Sequence, residues 1–355
     1  MSTVPVATPL DERVFQATLG ALELYGIYIG DRLGLYRALR ETEDLSVPEL
    51  AARCQIHPRY AQEWLEQQAV AGVLEVDDPA TAADKRRYSL PEAHAVVLLD
   101  HTDASYVAPF GQMLVGIANV LDEVVAAYRT GEGVPYSRYG ADFRHGQGAI
   151  NRPAFTSALV EEWLPALSVA DRLERGARLV DVGCGQGFAT IAAARAFPAV
   201  EAWGIDNDPA SIEDARDHAA AAGVPARFEC ADAASLALLG PFDVVLVLEV
   251  LHDLARPVEV LDTARRALAD GGAILVADEA VAPRFVAPGD DLERMMYGWS
   301  ITHCLPASMT ERPSAAIGTV IREDTVRDLA RQAGLESVEV LDVDGGFFRL
   351  YELRP

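Results

Sequence analysis

Residues 177–209, ARLVDVGCGQGFATIAAARAFPAVEAWGIDNDP, constrain the fold more than any other stretch of the chain. A short apolar run, Leu179-Val180-Asp181-Val182, breaks into Gly183, Gly185 and Gly187. An alanine-rich helical pattern follows, and a second apolar run ends on Asp206. The order is strand, tight turn, helix, strand, acid. Glycine is needed where the backbone takes a positive φ or a ligand lies against it, and a helix N-terminus facing that ligand offers unpaired N–H groups. An acid closing the next strand, about 20 residues on, is where doubly wound nucleotide-binding folds grip a ribose diol.

The spacing is G-x-G-x-G with an acid two residues before the first glycine, which departs from the G-x-G-x-x-G of dinucleotide enzymes. It resembles the class I S-adenosylmethionine (SAM) methyltransferases. Three further features stand where that family has them. Asp206 closes the second strand, Asp232 in RFECADAASL closes a third, and PFDVVLVLEVLHDL supplies a fourth strand that ends in a polar cluster. The resemblance implies an α/β fold, a Rossmann-like seven-stranded methyltransferase sheet, with an N-terminal all-helical and winged-helix domain. The layout is similar to that of small-molecule O-methyltransferases.

Strand and helix patterns alternate through this half as a parallel sheet requires. Strands are expected at 178–182, 201–205, 226–230, 242–248 and 273–277, with helices from Gly187, over 209–222 and over 256–269. After Asp278-Glu279 an irregular insertion is expected to about Ile321, then a helix over 323–333. Two closing strands, 338–343 and 347–353, form a hairpin that fits the antiparallel seventh strand of the family's sheet. No internal repeat or low-complexity tract interrupts the pattern.

Toward the N-terminus, apolar residues from Val14 to Leu39 recur at helical spacing on too many faces for a solvated helix, which predicts burial against another helix or another subunit. In the segment that follows, Ser46 and Glu49 form a capping box with Pro48 in the first turn. Helices over 49–54 and 58–71 and strands over 73–76 and 87–90 make the pattern of a winged helix-turn-helix. Such a domain often reads DNA. Here the helix that would enter the groove carries Arg59 as its one strong cation and also Glu63 and Glu66, too few positive charges for phosphate contacts. The resemblance assigns the domain to dimerisation instead. The expected domains are 1–98, helical and winged helix; 99–175, helical linker and substrate lid; and 176–355, SAM binding. The polar, glycine-rich run TGEGVPYSRYGADFRHGQGAINRP within the second is expected to form a lid or pocket wall.

Composition narrows the partners. At 355 residues the chain is long enough for two cores, and its formal charge of −24 repels nucleic acid and anionic membrane surfaces. Cys54, Cys184, Cys230 and Cys304 are scattered and read as reduced thiols of a cytoplasmic protein. No basic and apolar leader opens the sequence, and no apolar run reaches the roughly 18 residues a membrane span needs.

The chemistry is carried by a few side chains. The resemblance implies that Gly183, Gly185 and Gly187 let the backbone approach the cofactor, that Asp181 orients this loop or meets the methionyl ammonium, that Asp206 accepts both ribose hydroxyls, and that Asp232 accepts from the adenine amino group with Asn207 and Ala233 beside the ring, while Glu249 is expected to face the same pocket. In plant-type O-methyltransferases the fourth strand runs into a His-Asp pair whose histidine takes the acceptor's proton. His252 and Asp253 match it, and a histidine suits the task because its ordinary pKa lies near working pH. Tyr136, Tyr139, Arg152, Trp163, Trp299 and His303 are candidates for the small-molecule substrate pocket. A different resemblance, to metal-dependent methyltransferases acting on the carbon beside a 2-oxo acid's carbonyl, would make His252, Asp253 and His303 ligands of a divalent or ferric ion. A third reading, a SAM-responsive DNA-binding regulator, keeps the cofactor fold and puts the winged helix on DNA.

Overall fold

The computed structural model describes residues 8–355. Contacts divide the chain into two compact units that meet in sequence at Val115 and Gly116. The helices expected as a separate 99–175 segment are therefore shared out, those beyond Gly116 belonging with the sheet.

The first unit begins with helices α1 (Leu10–Arg32) and α2 (Leu35–Arg40). The single helix expected over 14–39 is broken because Gly34, at φ 67°, takes the left-handed conformation and starts a new helix. Next come β1 (Leu45–Ser46), α3 (Val47–Cys54), α4 (Pro58–Val70), β2 (Glu75–Val76), β3 (Arg87–Ser89) and α5 (Glu92–Leu99). The strands pair antiparallel in the order β1-β3-β2, and the Ser46–Glu49 capping box is made, with the Ser46 N–H donating to Glu49 Oε2 at 2.8 Å. The core gathers Leu35, Tyr36, Leu50 and Leu65, with Trp64 donating to the Gly26 carbonyl. The buried positions of α1 are glycines, Gly26 and Gly30, while Val14, Phe15 and Leu22 stand exposed.

After α6 (Phe110–Ala118) and α7 (Leu121–Thr130), the second unit turns through a 3₁₀ segment (Tyr136–Tyr139) into α8 (Gly140–Pro153) and a π-helical stretch (Ala154–Trp163). The glycine-rich lid is thus mostly helix. α9 (Ala170–Arg175) leads into the sheet: β4 (Arg178–Val182), α10 (Phe188–Ala196), β5 (Glu201–Asp206), α11 (Pro209–Ala222), β6 (Arg227–Cys230), α12 (Leu236–Leu239), β7 (Phe242–Leu248), α13 (Pro257–Arg266) and β8 (Leu268–Glu279). The insertion expected to be irregular contains one continuous helical run, α14 (Asp291–Trp299), a π segment (Ser300–Cys304) and α15 (Leu305–Ser308), and is irregular on either side of it. α16 (Glu323–Gln332), β9 (Ser337–Val340) and β10 (Phe348–Arg354) close the chain.

The seven strands lie in the order β6-β5-β4-β7-β8-β10-β9, and β10 runs antiparallel to both its neighbours, as the closing hairpin implied. Both faces of the sheet are covered, which is why its strands are continuously apolar: Val244 to Val247 are all fully buried. Leu179, Leu246 and Leu275 pack with Trp163 on one face, and Val180, Val245 and Ile274 pack with Leu261 and Val326 on the other. Strand order reverses between β4 and β7, so the crevice for a ligand opens at their carboxyl ends. The turn after β4 depends on glycine. At Gly187, φ is 78° and a Cβ would stand 2.7 Å from the Phe228 ring and 2.9 Å from the Ala215 Cβ. Gly187→Ala is expected to lower stability by about 1–3 kcal/mol, the strain of a side chain in the left-handed region. Urea unfolding measures this, and an unchanged midpoint would contradict the packing described.

Candidate functional site

A cavity of about 670 Å³ opens at the reversal point, walled by the turn after β4, the ends of β5, β6 and β7, and α8. Gly183, Gly185 and Gly187 all have positive φ, and around Gly185 the space a Cβ would fill is open. Its N–H instead donates to Asp206 Oδ2 at 2.9 Å, while Oδ1 of the same carboxylate accepts from the Asp208 N–H at 2.8 Å. Asp206 thus fixes the turn and still has lone pairs for two hydroxyls. Burial pushes its carboxyl above the usual range, against the pull of these backbone donors.

Asp181, on β4, is buried at the cavity floor and accepts from the Thr190 hydroxyl at 2.9 Å. Burial pushes its carboxyl up to about 7. Asp232 caps the short turn at Ala233–Ser235, accepting from the Ala234 N–H at 2.8 Å, and lines the cavity beside Asn207 and Ala233. Glu249 follows β7 at φ 55°, a strained position for a side-chain residue, and accepts from the Asn151 amide of α8. Burial pushes it to about 7 against the opposing charge of His252. Eight of the nine residues expected at the cofactor border one cavity, and the ninth, Gly187, packs behind it against Phe228.

The acceptor end is less as expected. Asp253 lines the cavity, whereas His252 is 1% exposed and stands behind it. The His252 Nδ1 lies 2.7 Å from Asp278 Oδ1, and since a carboxylate only accepts, Nδ1 carries the hydrogen. Its Nε2 lies 3.4 Å from Asp253 Oδ1. Asp278, at the end of β8, is therefore the residue that orients His252. Burial opposes charge on His252, but Asp278 and Asp253 outweigh it and hold the imidazole well above its ordinary pKa.

Among the pocket candidates Tyr136 borders the cavity. The others do not. Tyr139 is buried, with its hydroxyl on the Thr302 carbonyl, and Trp163 is fully buried in the sheet core, its indole N–H on the Asp344 carbonyl. Arg152 stacks over the Phe188 ring, and Trp299 is half-buried at the end of α14. His303 is buried against Phe143, its ring centre 4.0 Å away, and against Tyr139; burial and His252 push it down to about 3, so it is neutral. The ligand atoms of His252 and Asp253 instead gather with Cys304 Sγ, and His303 belongs to no such cluster among the described residues.

Sequence reasoning also missed the ties that hold α8 over the cavity. Asp214 Oδ2 accepts from Gln186 of the glycine turn at 2.9 Å and from Arg144 of α8 at 3.0 Å. These contacts span unrelated segments and leave no local pattern. Asp278 did leave a signal, an acid at a strand's carboxyl end.

Comparison with known proteins agrees with this geometry. Residues 173–334 match the family described as a methyltransferase domain, and residues 18–99 match the Rv2258c-like winged HTH domain. The chain thus carries a methyltransferase domain behind an N-terminal winged helix-turn-helix domain. Among curated relatives, the ubiquinone biosynthesis O-methyltransferase of Caulobacter sp. (strain K31) is 40% identical over 104 residues, 29% of this chain and 40% of that one. The 27-O-demethylrifamycin SV methyltransferase of Amycolatopsis mediterranei is 32% identical over 174 residues, 48% of this chain and 58% of that one. The chain therefore spans less than two thirds of the length of the first curated relatives it matches. Human N-acetylserotonin methyltransferase, solved in complex with SAM, shares the fold from end to end, with a TM-score of 0.70 at 18% identity, covering 100% of this chain and 99% of that one.

Asp181 has a measurable consequence. The folded chain keeps on this carboxyl a proton that the unfolded chain releases near 3.8, so stability falls as pH rises from about 4 through about 7. Asp181→Asn, which imitates the protonated form, is expected to match the wild type near pH 4 and exceed it at pH 8. Urea midpoints across that range decide it, and parallel curves would refute the assignment.

Proposed function

We propose that this protein transfers the methyl group of SAM to a hydroxyl or acidic carbon of a small molecule. The observation that carries this reading is that Asp181, Asp206, Asp232 and Glu249, from four strand ends, border one cavity beside an open glycine turn. The open side of Gly185 and the remaining lone pairs of Asp206 fit the ribose and methionyl parts of such a cofactor. Bound SAM supplies a methyl group already activated on a sulfonium. The chain's own residues then have to position, desolvate and remove a proton.

Asp206 grips the ribose diol, Asp232 the adenine amino group, and Asp181 with the turn amides the amino acid end. Tyr136, Asn151 and Glu249 wall the space beyond. The acceptor loses its proton at the His252–Asp253 pair, with Asp253 at the cavity wall and Asp278 fixing the imidazole behind it. The exposed apolar residues of α1 support association of two copies as a homodimer, and the four free thiols support a reducing, cytoplasmic setting. A DNA-reading role for the winged helix is opposed by the pairing of Arg59 with Glu63 on α4. No single helix among the described residues is long and apolar enough to cross a membrane.

Titration calorimetry with S-adenosylhomocysteine tests the cofactor site. Asp206→Ala removes a carboxylate whose hydrogen bonds are each worth about 1.5–3 kcal/mol, so affinity is expected to fall at least roughly tenfold. Equal affinity in variant and wild type would refute this reading.

A further inference from the structure

Behind Asp253, which lines the cavity, stands a buried cluster of three donor atoms. His252, on the 3₁₀ turn after β7, Asp253 beside it, and Cys304, at the end of the π segment, present one nitrogen, one oxygen and one sulfur within 4.8 Å of one another. The 3.4 Å between His252 Nε2 and Asp253 Oδ1 exceeds the roughly 2.7–2.9 Å of a charge-assisted hydrogen bond. Asp253 Oδ1 is buried and has no hydrogen-bond partner. Two donors each about 2.0–2.1 Å from a tetrahedral ion stand roughly 3.3–3.4 Å apart, and the observed spacing matches that.

The support behind this set is also that of a metal site. His252 Nδ1 donates to Asp278 Oδ1, a buried carboxylate that in turn accepts from the Glu279 N–H at 3.0 Å. An imidazole so held points Nε2 forward in a fixed tautomer, the arrangement that orients histidine ligands from behind. Cys304 is buried and forms no disulfide. His303, the third ligand that the metal-dependent resemblance implied, faces the rings of Tyr136, Tyr139 and Phe143 and does not fit that role.

We propose that His252 Nε2, Asp253 Oδ1 and Cys304 Sγ bind a divalent transition-metal ion, zinc by their chemistry, with the fourth position turned to the cavity that Asp253 lines. Nitrogen, carboxylate and thiolate together suit zinc, and three protein ligands with an open place are the form of a catalytic site. Binding replaces the thiol hydrogen of Cys304, which leaves as a proton to solvent. The assignment rests on the reading of this cavity as a methyl-transfer site, and with the ion bound, His252 Nε2 no longer takes the acceptor's proton; the ion would instead acidify an acceptor oxygen as a Lewis acid, the proton leaving to solvent.

The full-length protein, stripped with a chelator, is titrated with Co²⁺ and followed by absorbance, with S-adenosylhomocysteine affinity measured on each sample. The wild type is expected to give one equivalent of saturable visible bands of a tetrahedral site and a near-ultraviolet thiolate-to-cobalt band, both displaced by Zn²⁺. Cys304→Ser is expected to lose the thiolate band, Asp253→Asn to bind Co²⁺ at least about tenfold more weakly, and His303→Gln to keep the wild-type spectrum. Unchanged far-ultraviolet circular dichroism and an unchanged urea midpoint in each variant show that it is folded. A wild type without a saturable spectrum, a thiolate band surviving in Cys304→Ser, or a spectrum lost in His303→Gln would overturn the site. Metal binding without S-adenosylhomocysteine binding would keep the site and overturn the methyl-transfer reading.

Discussion

One hydrogen bond sets the geometry on which the catalytic half depends, that from the Gly185 N–H to the carboxylate of Asp206. It joins the turn after β4 to the end of β5, so the loop that must lie along a ligand is braced by the residue that must grip it. The same carboxylate accepts from the Asp208 N–H, and the Asp208 side chain accepts from the Ser211 N–H at the start of α11. A chain of acceptors thus runs from the glycine turn to the next helix. Neighbouring backbone dipoles make the buried charge tolerable there, because an unpaired carboxylate in that position would be costly.

The sheet and the strand-end residues that border the cavity were legible in sequence for the same reason. Buried parallel strands read as short apolar runs bounded by turns, and 178–182 and 242–248 coincide with β4 and β7. Residues that meet a ligand in such a fold stand directly after those strands, so Asp206, Asp232 and Glu249 follow from counting. Backbone conformation adds to the signal, as at Gly187, where only glycine fits.

The acceptor half resisted because its parts meet only in three dimensions. Asp278 reaches His252 from the neighbouring strand's end, 26 residues on, and Asn151 reaches Glu249 from a helix 98 residues earlier. The segment 131–153 carries five glycines and two prolines, and local propensity called it a loop, yet packing makes α8 of it. Trp163 and Tyr139 read as ligand contacts because aromatic residues often line pockets, but large rings fill cores as readily, and both are buried away from the cavity. The break at Gly34 was missed because apolar spacing on both sides of it fits one continuous helix.

Both helical arms that flank the cavity, Ala154–Trp163 and Ser300–Cys304, contain π turns. A π turn accommodates one residue more than the α-helix it interrupts, is rare, and lasts only where surrounding packing holds it. Each arm is therefore a place where the chain length can change by a single residue without disturbing the sheet. Loss of one residue from 300–304 would return that turn to α-helical spacing and shift Cys304 relative to His252, while the chain beyond keeps its register. The strand-end turns that border the cavity and the helical arms beside it are in this way free to diverge at different rates.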